Sequence, residues 1–71
     1  MSKTILEKFG EQVRKERHQK GLSQEELAAR AGVHRTYIGM IERAEKNITL
    51  ENIEKVTKAL SLKISDFFKD F

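Results

Sequence analysis

The sequence predicts an all-α fold, five helices packed as one domain over residues 1–71. Two observations predict it. Apolar residues recur at steps of three and four along every segment, the period of a helix face, and no segment alternates with the period of two that a strand requires. Proline is absent and the four glycines are scattered, so no linker, repeat or low-complexity segment divides the chain.

In the first segment Leu6, Phe9, Gly10 and Val13 form one stripe, giving a basic amphipathic helix from about Thr4 to Lys20 that Gly21 ends. Ser23 followed three residues later by Glu26 is a capping box, which starts a second helix over Gln24–Ala31 with Leu27, Ala28 and Ala31 turned inward. Gly32 reverses the chain through a left-handed conformation without steric penalty. A third helix follows from about Arg35 to Arg43, holding itself to the domain through Val33, Ile38 and Ile41. Thr49 caps a fourth helix in which Leu50, Ile53, Val56 and either Leu60 or Thr57 share a face. Ser65 is expected to cap a last short helix carrying Phe67, Phe68 and Phe71.

Length and composition exclude several functions. A chain of 71 residues has room for one small core, so a deep catalytic cleft is not expected. Without cysteine there is no disulfide or thiolate site, and two isolated histidines do not make a zinc site. No nucleophile and base are spaced for catalysis. The expectation is therefore a protein that is not an enzyme and takes no metal, cofactor or small-molecule ligand. No run approaches the roughly 20 apolar residues of a membrane span, and MSKTILEKFG lacks a signal-peptide pattern, so a cytoplasmic protein is expected. Residues 1–47 hold 10 of the 14 Lys and Arg against 7 acids, and the rest carry 4 of each sign, so the net charge of +3 lies in the first two thirds. Such an excess is more often ordinary solvated helix charge than a nucleic-acid footprint, so the charge alone decides little.

Two short helices joined through a glycine turn, the second polar on its outer N-terminal side, have the layout of a helix-turn-helix, here over residues 24–43. The stretch QEELAARAGVHRTYIGMIER resembles the phage-repressor type (XRE) helix-turn-helix family. The likeness extends to the preceding GLSQ, the Gly32–Val33 turn, the IER ending and LENIEKVTKALSL, and so covers most of the chain. Within that family RTYI, IER, NIT and the terminal DFF look most like the small controller proteins of restriction-modification systems. The resemblance implies a lambda-repressor-like DNA-binding domain and a transcriptional regulator that acts at its own promoter. Two rivals stand beside it: an antitoxin-like or phage-type repressor of the same family, and a helical protein-interaction module. Gln24, Arg35 and Arg43 argue against the second.

A recognition helix needs hydrogen-bonding side chains near its N-terminus, because that end enters the major groove. Arg35, Thr36 and Met40 fall on the outer arc, and they match the positions of the family's usual base readers. Arg35 suits guanine O6 and N7, while Thr36 and Met40 offer methyl surface to thymine. Tyr37 and His34 reach either a base edge or a phosphate. Gln24, at the second helix's N-terminus where free amides favour an anion, resembles the family's phosphate-contacting glutamine. Arg43, Lys46 and Asn47 are expected on the DNA backbone, and Ser23 is a phosphate contact second to its capping role. In the family an arginine at the position of Arg17 pairs with the glutamate at Glu42, which removes a carboxylate from the groove. Specific binding by one such helix calls for a two-fold dimer on a double-stranded operator with two related half-sites. Ile48, Ile64, Phe68 and Phe71 are surplus to a core of Phe9, Leu27, Ile38, Ile41, Leu50, Ile53, Leu60 and Phe67. They predict a homodimer through residues 48–71.

Overall fold

Capping groups set most of the helix boundaries. In the computed structural model, which describes residues 3–71 and so leaves Met1 and Ser2 outside, the Thr4 hydroxyl accepts from the Glu7 amide at 3.1 Å and the Glu7 carboxylate accepts from the Thr4 amide at 2.9 Å. That box opens α1 (Ile5–Gln19). Ser23 and Glu26 make the same reciprocal pair at 3.0 and 2.9 Å and open α2 (Gln24–Ala31). The helices α3 (Arg35–Glu42) and α4 (Leu50–Ala59) start at His34 and Thr49, whose side chains accept from the amides of Thr36 and Asn52. The last helix, α5 (Ile64–Phe68), corrects an expectation: Ser65 lies inside it, and Lys63 precedes it without a side-chain cap. Backbone bonding to the Lys63 carbonyl fixes this start, one turn before Phe67 reaches the core.

Four helices end in the same way. Leu22, Val33, Glu45 and Leu62 each donate their amide to the carbonyl five residues back, at 2.9–3.0 Å. The residue before each has positive φ: Gly21, Gly32, Ala44 and Ser61. These are Schellman ends, in which a left-handed residue folds the chain back over the last turn.

Ten buried side chains make the core: Phe9, Val13, Leu27, Ala28, Ala31, Ile38, Ile41, Val56, Leu60 and Phe67. Both alternatives on α4, Leu60 and Thr57, are buried, Thr57 donating its hydroxyl proton to the Glu54 carbonyl at 3.1 Å. Leu50 is a correction, since it is 82 % exposed. It is the first residue of α4 and sits at the edge of that helix's apolar arc, so its side chain clears the packed body. Phe9 of α1 meets Phe67 of α5 with ring centroids 5.1 Å apart, and Phe68 and Phe71 extend this aromatic cluster. α1 crosses α3 at Gly10, which is buried between them. Among the described residues no helix is long and apolar enough to cross a membrane.

Candidate nucleic-acid interface

The buried side of α3 is held by Ile38 and Ile41, and by one charged residue, Glu42, whose side chain has no exposed surface. Its carboxylate gathers donors from two other helices. Arg17 of α1 donates Nε to Oε2 at 2.7 Å and Nη2 to Oε1 at 3.1 Å. Gln24 of α2 donates Nε2 to Oε1 at 3.1 Å, and Arg14 adds Nε at 3.4 Å. Burial pushes the Glu42 carboxyl up, but the hydrogen bonds from Arg17 and Gln24 and the charge of Arg17 outweigh it, holding the group below the usual carboxylate range. Arg17 also donates Nη1 to the Leu22 carbonyl at 2.9 Å, fixing the loop into α2. Three helices are thus tied at one carboxylate, which leaves no bare negative charge beneath the outer face of α3.

That outer face carries the expected readers. Arg35 and Thr36 are exposed, and Met40 is half-buried. Arg35 has one tether, Nη1 to Glu25 Oε2 at 3.4 Å, between side chains 66 % and 76 % exposed; an ion pair so open to water contributes little to stability. Tyr37 points partly inward, with its ring half-buried and its hydroxyl accepting from Asn52 Nδ2 of α4 at 3.0 Å. His34 is exposed and serves as the α3 cap, its Nδ1 accepting from the Thr36 amide at 3.0 Å.

Gln24, Arg35, Thr36, Gly39 and Arg43 line one shallow polar concavity between α2 and α3. Ser23 stands exposed just ahead of it as the α2 cap. Lys46 and Asn47 are exposed in the following turn, and Asn47 borders a different, apolar groove. The four residues expected at a dimer face are not all together. Ile48 and Phe68 are half-buried and line that apolar groove with Ile5, Leu6, Phe9 and Ile53, and Phe71 touches Phe68 with ring centroids 4.7 Å apart while also bordering a hollow against Lys8 and Gln12 of α1, whereas Ile64 borders a separate hollow beside Thr57 and Leu62. The expectation of four surplus side chains is corrected for Ile48 and Phe68, which pack against the core.

Sequence reasoning did not find Arg14, the Gln24–Glu42 bond, the His34 cap or the Tyr37–Asn52 bond. Arg14 stands three residues before Arg17, a spacing that puts both on one helix face, and this was the one signal available.

A helix-turn-helix on this frame defines a class, and residues 13–67 match the family model described as helix-turn-helix. The control protein C.BamHI of Bacillus amyloliquefaciens is 46 % identical over 67 residues, covering 93 % of this chain and 83 % of that one. C.SmaI of Serratia marcescens is 47 % identical over 60 residues, covering 84 % and 71 %. The crystal structure of the restriction-modification controller protein C.AhdI from Aeromonas hydrophila superposes with a TM-score of 0.86 at 44 % identity, covering 89 % of this chain and 96 % of that one. The C.Esp1396I controller, solved as a tetramer in complex with its natural 35 base-pair operator, gives a TM-score of 0.89 at 35 % identity, covering 96 % and 90 %. The chain belongs to the helix-turn-helix family, in the branch that contains the restriction-modification control proteins.

Proposed function

We propose that this chain is a sequence-specific, double-stranded DNA-binding transcriptional regulator, a homodimeric control protein of a restriction-modification system that acts at its own promoter. The observation that carries the reading is the division of α3 into two faces. Ile38, Ile41 and Glu42 are buried behind it, while Arg35, Thr36 and Met40 stay accessible in front. In this reading Arg35 takes a guanine edge, and Thr36 and Met40 meet thymine methyls. Gln24 gives one amide proton to Glu42 and keeps its second for a phosphate oxygen beside the free amides of the α2 N-terminus, with Ser23 adjacent. His34, Lys46 and Asn47 serve the flanking backbone. Tyr37 accepts from Asn52, so its own proton is free to donate to an acceptor on the DNA.

Self-association belongs to the α4–α5 region, residues 48–71. The groove of Ile48 and Phe68, with exposed Leu50 one helical turn from Ile53, supports that reading better than Ile64 or Phe71. The chain acts in the cytoplasm as a binding protein, and no reaction, cofactor, membrane or small molecule enters its activity.

Selection of bound duplexes from a random-sequence pool tests the proposal. The expected product is an enriched site of two related halves, their centres about one helical turn, or a multiple of it, apart. A pool that emerges unenriched overturns it.

A further inference from the structure

We infer that Arg43 reads a base rather than holding the DNA backbone, and that Gly39 is the residue that lets it do so; the inference rests on the DNA-binding reading above. Arg43 follows Gly39 by one helical turn, and side chains on a helix lean toward its N-terminus, so the two positions share one face. The guanidinium of Arg43 folds back over α3: a Cβ added at Gly39 would meet its Nη1 at 3.0 Å and the Gln24 Oε1 at 3.6 Å. It therefore sits level with the middle of the helix, in the concavity shared with Arg35 and Thr36, instead of reaching outward from the last turn.

One further observation favours a base over a phosphate. The Arg43 Nε pairs with Glu45 Oε1 at 3.1 Å, so a carboxylate that repels phosphate stands beside the guanidinium. Its two terminal nitrogens have no partner among the described residues, which leaves both donors free to meet O6 and N7 of guanine. Gly39 has no other structural reason to be glycine. Its backbone is not in the left-handed region, and glycine inside a helix is less stable than alanine.

The test is the same duplex selection run on wild type, Arg35→Ala, Arg43→Ala, Arg43→Lys, Gly39→Ala and the Gly39→Ala/Arg43→Ala double variant, each first checked by thermal melting. Wild type is expected to discriminate by about tenfold or more at one position of each half-site beyond those that Arg35→Ala removes. Arg43→Ala and Arg43→Lys should flatten that position to near-equal use of all bases and leave the others unchanged. Gly39→Ala should melt no lower than wild type yet weaken the same position, and the double variant should go no further than Arg43→Ala alone. An Arg43→Ala profile unchanged at every position, with uniformly weaker binding and a shallower salt dependence, assigns Arg43 to phosphate and overturns the inference while the DNA-binding reading stands. An unchanged profile for Gly39→Ala overturns the role of Gly39. A wild-type protein that enriches no sequence defeats both readings together.

Discussion

Gly10 of α1 lies so close to the end of α3 that a Cβ built on it would stand 2.5 Å from the carbonyl oxygen of Ile41 and 2.9 Å from that of Glu42. The obstacle is backbone on a buried turn, which cannot swing aside. Gly10→Ala would gain roughly 1 kcal/mol in helix propensity, but it forces the two helices apart. Overpacking of this kind costs about 1–3 kcal/mol or more, so a net loss is expected, read as a lower urea midpoint. A midpoint equal to or above wild type would show that the spacing of α1 and α3 yields easily.

Arg17→Ala removes the main partner of a carboxylate with no exposed surface. Arg14 and Gln24 remain, so the expected loss lies toward the lower end of what breaking a buried pair costs, about 3 kcal/mol. The pair between Lys3 and Glu11 is a control, because both side chains are more than half exposed and Lys3→Ala should change stability by less than about 0.5 kcal/mol. Equal effects of the two substitutions on the denaturation midpoint would contradict the structural weight given to Arg17.

The same carboxylate predicts a pH dependence. Glu42 is held below the usual range in the folded chain, so the unfolded chain binds its proton more readily. Its contribution to stability is whole above the unfolded value of about 4.3 and is lost as pH falls through the lower folded value. Glu42→Gln should be less stable at neutral pH and lose less on acidification. Part of the acid sensitivity will persist in that variant, because the amide and hydroxyl of Thr4 lower the Glu7 carboxyl and those of Ser23 lower that of Glu26. Stability curves for variant and wild type that run parallel from neutral pH to about pH 2 would rule out a Glu42 contribution.

Leu50→Glu separates self-association from folding. Leu50 is 82 % exposed, so a charge there should leave the melting temperature nearly unchanged while shifting sedimentation toward the monomer. Phe68→Ala is a poorer probe, since its ring packs 5.8 Å from Phe9 and 4.7 Å from Phe71 and its loss would weaken the fold as well. Identical sedimentation of Leu50→Glu and wild type across concentration would place the interface away from the start of α4.

The parts of this structure that were legible in the sequence are those decided within a few residues. Ser23 with Glu26 and Gly32 fix the ends of α2 through atoms close in the chain, and the stripe of Phe9 and Val13 follows from helix period alone. Leu50 misled because periodicity reports a direction around the helix, whereas burial also depends on where its end falls relative to the body. Ser65 misled because a hydroxyl in the right stretch is not a cap when the tertiary anchor, Phe67, sets the helix two residues earlier. At the site, the outward set of Arg35 and Thr36 was readable from the helix turn. The Arg17–Glu42 pair spans 25 residues and was reached by resemblance; Gln24 and Arg14 joined it only when the three helices were brought together.

Ala44 and Ser61 hold left-handed conformations at φ 59° and 60° without being glycine, a strain of roughly 1 kcal/mol each. Ala44→Gly is expected to raise the unfolding free energy by about 1 kcal/mol, read as a higher denaturation midpoint, and no gain would mean the strain is relieved locally. Expressed as population, each such residue multiplies the fraction of unfolded chains about fivefold, and the unfolded fraction is what proteases consume. Two ordinary side chains at helix ends thus bear on how long each molecule survives. If the chain pairs as proposed, lifetime sets how much of it is present to do so.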